Sequence, residues 1–518
     1  MNIYEQLTTI VRENPSHLAY IFDDQVTTYE QFLREVNDLA SGLTALGYKK
    51  GDHLALISWN SPYFLVTMYA ALKIGAVLIP INPMYTPNEM KYILKNGDVK
   101  AIIALDVILK DLDAISHELS FIKHIISCPT SCNIAHNIYS FTSEVYSFVE
   151  VVRRSNGNME SIHIEEDDPA IILYTSGTTG HPKGTILSQR SVYYGAKSFA
   201  EHFCVTNKDR MITALPMFHV FSLTVAVNGP LIHGATLLLM EKFSPNEVFR
   251  LAKTYEATLF AGVPTMYSYL LQNETDHQTK RNSFQTIRYC ASGGAPFPVK
   301  LIEEFEKTFQ VPVIEGYGLT EAAPVSFNPL TGPRKYGSIG VTVPYMDAIV
   351  VDEYSRPLEH GKEGELIIRG KAMMTAYYNE PEETVMAMKD GWFYTGDMAV
   401  QDEDGYFYIK DRKKDVIIVN GYNVYPREVE EVLYRHPNVL EVAIIGGPHP
   451  DSGEEVIACV VVNDRAVTES ILSQYCKRYL TEYKVPNRFI FMDELPRNTT
   501  GKMLKSVLKD YVESVNEK

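Results

Sequence analysis

Apolar residues in the first hundred positions alternate between two rhythms. After Thr28, the residues Phe32, Val36, Leu39 and Leu43 return at helical spacing and stop before Gly47. Gln31 stands three residues after Thr28, so the pattern predicts an amphipathic helix opened by a capping box and closed by glycine. HLALISW then reads as a short buried strand. A helix from about Pro62 to Lys73 and a strand in GAVLIPIN follow it.

The same design occurs twice. Gly75-Ala76 opens an apolar strand, Thr86-Pro87-Asn88-Glu89 begins a helix, and VKAIIAL supplies a second strand. Gly234-Ala235 opens TLLLM, Ser244-Pro245-Asn246-Glu247 begins a helix, and ATLFAGV closes the unit. Each tetrapeptide offers a hydroxyl N-cap, Pro at the first helical position and Glu at the third. Two such strand–helix–strand units predict two similar subdomains, each built on a mainly parallel sheet.

After about Gly337 the pattern changes to short strands punctuated by glycine: MDAIVVDE, GELIIRG and GYFYIKD. They predict an antiparallel, barrel-like piece. Five charges in a row follow, Asp411-Arg412-Lys413-Lys414-Asp415. Beyond them a helix is expected from Pro426, strands in VAIIGG and VIACVVV, and a helix over roughly Glu469–Leu480. The strand RFIFM and a basic C-terminal helix complete a small α+β domain. The predicted class is α/β, with a large N-terminal domain of two similar αβ subdomains plus the barrel-like piece. The expected boundaries are residues 1–410, a hinge at 411–415, and a small mobile domain at 416–518.

Composition narrows the function. The chain has 518 residues, 45% hydrophobic and 22% charged, which excludes a disordered or fibrous protein. Lys and Arg number 48 against 64 Asp and Glu, a net charge of −16, so no bulk electrostatic attraction to nucleic acid is expected. Of six cysteines only Cys128 and Cys132 lie close together, and no CxxC or Cys/His ligand spacing occurs, which disfavours a disulfide framework or zinc site. The N-terminus has neither a basic start nor an apolar core, so a signal peptide is not expected. The apolar stretches near Tyr63–Pro83 and Phe221–Met240 are interrupted by Lys73 and Pro80, and by Asn228, Pro230 and His233, so no transmembrane span is expected. A soluble, cytoplasmic protein is the expectation.

One loop carries evident chemistry. Behind the apolar run AIIL, Tyr174–Gly184 reads YTSGTTGHPKG. Glycines let main-chain N–H groups approach an anion, hydroxyls donate further hydrogen bonds, and Lys183 supplies charge, as a polyphosphate site requires. The spacing is not that of GxxxxGK[ST], so this is not a Walker A loop.

That loop resembles the phosphate-loop signature of the adenylate-forming superfamily, which includes the acyl-CoA synthetases. LPMFHVFS, SGGAPF, EGYGLTEA, YTGD, DRKKD and PRNTTGK follow in the family's order, spanning about residues 170 to 505. The resemblance implies a two-step reaction. A carboxylate attacks the α-phosphate of ATP to give an acyl-adenylate and pyrophosphate; the thiol of CoA then attacks the acyl carbon and releases AMP. It implies that Thr175, Ser176, Gly177, Thr178, Thr179, Gly180 and Lys183 cradle phosphate. Gly293, Gly294 and Ala295 leave room for adenine, together with Glu315, Gly316, Tyr317 and Gly318, and Tyr317 offers a stacking face. By the same resemblance Thr320 contacts the α-phosphate and the acyl carboxylate, and Glu321 holds Mg²⁺, a hard ion suited to carboxylate, with Thr175 assisting. Asp397 accepts from the ribose hydroxyls and Arg412 contacts the same nucleotide. His219 positions the acid. Lys502 reaches the α-phosphate in the first step, Lys414 is the pivot, and Gly421 flanks the CoA tunnel.

The nature of the acid is less defined. Met217-Phe218-His219-Val220-Phe221-Ser222 holds no acidic residue to pair with an amine, which disfavours an amino acid. No feature asks for a luciferase-like oxygenase, and no extra insertion ahead of the hinge suggests a loader of acyl carrier protein. An aryl-CoA ligase of the coumarate type shares nearly every motif and is the main alternative. A non-catalytic relative would be expected to lack Glu321 or Lys502. LPMFHVFSLTVAVNGPLIHGATLLLM resembles bacterial medium- and long-chain fatty-acid–CoA ligases, and Phe221, Leu223, Val225 and Val227 are expected to form an apolar wall. A fatty acid is the preferred substrate. Chain length and oligomeric state stay open, a homodimer included.

Overall fold

The computed structural model describes residues 2–130, 139–155, 162–175, 182–449, 452–464, 466–497 and 503–516. Local signals account for many of its helices. Thr28 caps Tyr29–Ala45 with Gln31 in a complete capping box, and Thr86 does the same for Pro87–Asn96 with Glu89. Ser61 caps Pro62–Ile74, which ends on Gly75 at φ +70°, a left-handed conformation that glycine adopts without strain. The expected cap at Ser244 differs. Pro245–Thr254 is helical, but the Ser244 side chain makes no capping bond. Arg250 engages both oxygens of Glu247, at 2.7 Å each, and this two-pronged ion pair takes the carboxylate that a capping box would use.

Among the described residues the strands form sheets of nine, eight, five and five strands. The two large sheets are the two subdomains. In one, His53–Ile57 lies between Val77–Ile81 and Ala101–Leu105, all parallel. In the other, Arg210–Thr213 lies between Thr236–Leu239 and Leu259–Gly262, also parallel. The repeated unit is therefore a shared topology: each helix carries the chain across a third, earlier strand. The nine-stranded sheet has antiparallel strands at both edges and the eight-stranded sheet at one. The hairpin Leu18–Thr28 belongs to the nine-stranded sheet although it precedes the other subdomain in sequence.

The nine-stranded sheet is packed by an aromatic stack. Phe305 and Phe309 lie 4.3 Å apart between ring centroids, with Phe284, Phe260 and Tyr267 around them, all essentially inaccessible. Burying each such side chain contributes about 1.5–3 kcal/mol. This core fixes the strands Leu259–Gly262, Tyr289–Ser292 and Val313–Leu319 side by side. Their carboxyl ends carry the glycine-rich motifs, the place where open α/β sheets hold ligands.

The later strands Met346–Val351, Glu363–Gly370, Met388–Lys389, Trp392–Gln401 and Phe407–Arg412 form an antiparallel sheet, as expected. One contiguous apolar core runs to Phe407; two separate, smaller ones lie from Ile417 onward. The last sheet is mixed, with Arg488–Phe491 parallel to Gly453–Val462. The helix expected over Glu469–Leu480 stops at Cys476 and loosens into turns. No helix among the described residues is long and apolar enough to cross a membrane.

Candidate active site

Glycine at two of the predicted positions answers a steric demand. A Cβ on Gly316 would stand 2.1 Å from the Phe327 ring, so only glycine lets that ring support the strand from below. Gly294 sits at φ +81°, and buried Gly293 lies within contact of the Gly316 carbonyl and the Phe221 ring. Gly318 and half-buried Ala295 complete the two loops. Tyr317 then projects from the strand end and its hydroxyl bonds the Asp397 carboxylate. Burial, reinforced by Asp397, holds that phenol well above its ordinary pKa, so it stays a donor.

Asp397 is buried and lies directly across the antiparallel pair from Arg412. The Arg412 guanidinium reaches Asp397 Oδ1 at 3.0 Å. Burial opposes the Arg412 charge, but Asp397, Tyr317 and Glu321 outweigh it and its pKa is raised. The charge run at 411–415 is thus more than a solvated turn at its first end. A carboxylate accepts at two oxygens, the kind of group that suits the two hydroxyls of a diol.

The opposite wall comes from a hairpin. Pro169–Thr175 and Lys183–Ser188 pair antiparallel, with Thr175 opposite Lys183, so the intervening loop starts and returns at one point. Ser176, Gly177, Thr178, Thr179 and Gly180 lie outside the described residues, as does Lys502. Lys183 Nζ donates to Glu383 at 2.6 Å and lies 5.9 Å from the Tyr377 ring centre. Tyr377 in turn donates from its hydroxyl to Glu321 Oε1 at 2.6 Å. Burial first, then Glu321, raises the Tyr377 phenol. Thr320 is half-buried in the turn beside Glu321, and the Glu321 carbonyl accepts from Met374 N at 2.7 Å. Glu321 keeps a second carboxylate oxygen, a hard donor that suits Mg²⁺. That ion commonly takes one or two protein carboxylates and completes its shell with phosphate and water. No group of three or more metal-ligating side chains occurs among the described residues, so the protein's share would be of this sparse kind.

His219 stands one turn before a π-helix, Ser222–Asn228, and its Nδ1 accepts from Phe221 N at 3.3 Å. The proton is therefore assigned to Nε2, which makes His219 a donor. The π-helix revises the expected apolar wall. Strand-like alternation would put Phe221, Leu223, Val225 and Val227 on one face; helical winding separates them. A small cavity of about 10 Å³ is lined by Leu223 together with Val220, Thr224 and Asn228, and closed by Ile171, Leu187 and Ala323. Phe221 packs toward Gly293. Val225 and Val227 belong to the core.

Two further predicted residues lie in or beside the small domain. Lys414 is exposed in the short 3₁₀ turn Lys413–Asp415. Gly421 follows Asn420, and both have positive φ, +51° and +81°. They form the two-residue turn between Ile417–Val419 and Tyr422–Val424. Asn-Gly is the dipeptide such a primed hairpin turn favours, so the immediate reason for this glycine is the turn. A Cβ on Gly421 would meet nothing within 4 Å, and the tip is exposed to solvent. Glu315 is buried rather than open to a ligand; the nearest cation, Arg427 Nη2, lies 3.8 Å from it.

Sequence reasoning missed Tyr377, Glu383 and Arg427. Tyr377 sits on a two-residue edge strand that pairs with Thr185 and Ile186, nearly two hundred positions earlier. No local pattern reveals such a contact.

Comparison with known proteins identifies the family. The chain matches the AMP-binding enzyme family over residues 7–378 and the AMP-binding enzyme C-terminal domain over residues 428–502. It is 35% identical to a long-chain-fatty-acid–CoA ligase of Bacillus subtilis, covering 96% of this chain and 92% of that one. It is 36% identical to the long-chain-fatty-acid–CoA ligase FadD13 of Mycobacterium tuberculosis, covering 96% of both. ATP-bound MatB from Rhodopseudomonas palustris superposes with a TM-score of 0.89 at 29% identity, over 99% of this chain and all of the other.

Proposed function

The chain belongs to the AMP-binding enzymes, and from that membership we propose that it is a cytoplasmic, AMP-forming fatty-acid–CoA ligase. One observation carries the reading. Elements from three sheets bring Tyr317, Asp397 and Arg412 together within electrostatic reach of Glu321, and Glu321 is tied through Tyr377 to Lys183 at one end of the hydroxyl-rich loop. The first group suits a ribose and base, the second a polyphosphate. The fatty-acid assignment draws on the two ligases above.

In the first half-reaction two anions must meet, so the site has to control charge at phosphorus. Ser176, Gly177, Thr178, Thr179, Gly180 and Lys183 cradle the β- and γ-phosphates. Thr320 holds the α-phosphate and the acyl carboxylate, and Lys502 reaches the α-phosphate from the small domain. When bound, Mg²⁺ held by Glu321 with help from Thr175 offsets phosphate charge. The acid is already ionised at neutral pH, so His219 orients it through its Nε2–H and no general base is required. Acyl oxygen bonds to phosphorus as pyrophosphate leaves. In the second half-reaction the CoA thiolate bonds to the acyl carbon and AMP leaves.

The solvent-facing Gly421 hairpin supports a change of orientation between the steps. In the second step residues 416–518 swing about 411–415, with Lys414 as pivot, to bring Gly421 to the thiol path. The test is product analysis after incubation with laurate, ATP, Mg²⁺ and CoA. Lauroyl-CoA, AMP and pyrophosphate in equal amounts are expected. ADP and phosphate, or no thioester from any acid, would refute the reading.

A further inference from the structure

Glu315 is almost wholly buried, and its Oε2 has no hydrogen-bond partner among the described residues. Ser292, opposite it in the parallel register, is equally buried, and its Oγ is also without a partner there. Two unmatched polar groups at the ends of the nucleotide-loop strands are costly unless something compensates. The charge of Glu315 is balanced from the small domain: Arg427, on the helix Pro426–Tyr434, is itself largely buried, and its Nη2 lies 3.8 Å from Glu315 Oε1, the carboxylate oxygen beside the unmatched one. Neighbouring contacts join the same two surfaces. Lys300 Nζ, on the helix Val299–Phe309, donates to the Tyr434 carbonyl at 3.4 Å, and the Val299 main-chain N–H faces Glu431.

We infer that Arg427 is a positioning residue: by pairing with Glu315, directly before Gly316 and Tyr317, it sets the orientation in which the small domain docks on the nucleotide wall. The ion pair is shielded from solvent on both sides, so losing Arg427 leaves a buried carboxylate without its cation. It ties the strand that presents Tyr317 to the domain that carries Lys502. It should therefore matter for adenylation more than for CoA transfer.

The electrostatics give the inference a pH signature. Burial pushes the Glu315 carboxyl up to about 7; Arg427 and the Phe297 main-chain N–H oppose that rise, and Glu431 adds to it. Glu431 is raised too, by burial, with Arg427 and Arg435 opposing and Glu430 adding. A raised carboxyl pKa means the docked state holds a proton that a solvated Glu315 releases. Docking therefore weakens as pH rises from the ordinary carboxylate range toward 7, and levels off above it. Without Arg427 the carboxyl moves further up, and the weakening continues above pH 7.

The experiment compares wild type, R427M, R427K and R427M/E315Q by small-angle X-ray scattering at pH 7 and 8.5. R427M should expand between these values. Wild type and R427K should not, nor should R427M/E315Q, whose amide does not ionise. In the kinetic arm, which rests on the ligase reading, ATP–pyrophosphate exchange by R427M at pH 8.5 should fall on the order of tenfold. CoA transfer from supplied lauroyl-adenylate should be largely kept. Identical scattering responses in R427M and wild type, or equal losses in both half-reactions, would overturn the inference. A wild type inert toward every acid would remove the ligase reading and leave the scattering to decide this one.

Discussion

Single side chains here do two jobs, and the two can be separated by substitution. Asp397 holds Arg412 and Tyr317 in place and, in the proposed reaction, accepts the ribose hydroxyls. Hydrogen bonds to a charged group contribute about 1.5–3 kcal/mol each. Asp397→Ala should therefore raise KM for ATP roughly 10–100-fold with little change in KM for the acid, as steady-state kinetics would measure. An unchanged KM for ATP would remove Asp397 from the nucleotide site. The glycines differ from one another in the same testable way. Gly316→Ala drives a methyl into Phe327, an overpacking that costs about 1–3 kcal/mol. It should lower the thermal midpoint and weaken ATP binding together. Gly421→Ala meets open space but keeps a left-handed backbone, which costs about 1–2 kcal/mol. It should destabilise the small domain and leave ATP affinity intact by calorimetry.

At the scale of elements, the sequence was most readable where the determining contacts are local. Capping at Thr28 and Thr86 needs only residues three positions apart, and both helices form where the spacing places them. Ser244 has the same local sequence, yet Arg250 takes its Glu partner, a contact that spacing alone does not rank. Asn420-Gly421 carries an equally local signal, the dipeptide of a primed hairpin turn. The π-helix was not legible, because four apolar residues at alternate positions fit a strand as well as a helix. It has a consequence for specificity. Leu223→Ala and Val225→Ala should both destabilise, by about 2–5 kcal/mol for the leucine and less for the valine. Only Leu223→Ala should shift the preferred acid toward longer or branched chains in a competition assay, since only Leu223 of the two lines the cavity. Equal shifts would show that Val225 also faces the acid. Tyr377, Glu383 and Arg427 were invisible for a different reason: each acts through a partner far away in the chain.

For the molecule as a whole, one apolar core runs to Phe407 and two smaller ones lie from Ile417 onward, with a short connection between. Lys414 lies within it, in a 3₁₀ turn whose φ suits proline. Lys414→Pro should preserve pyrophosphate formation and depress CoA transfer, because it fixes one of the two backbone states a pivot needs. Unchanged CoA transfer would place the pivot elsewhere. In the proposed reaction the two large sheets and the small domain share one site, and the acid it accepts is the claim on which the function rests. Each methylene buried in an apolar channel contributes about 0.8 kcal/mol, so kcat/KM should rise by up to roughly fourfold per carbon until the channel ends. The direct measurement is the ratio of kcat/KM for laurate to that for 4-coumarate, with ATP, Mg²⁺ and CoA saturating. A fatty-acid–CoA ligase gives a ratio well above one, and a ratio below one would contradict it in favour of an aryl-CoA ligase.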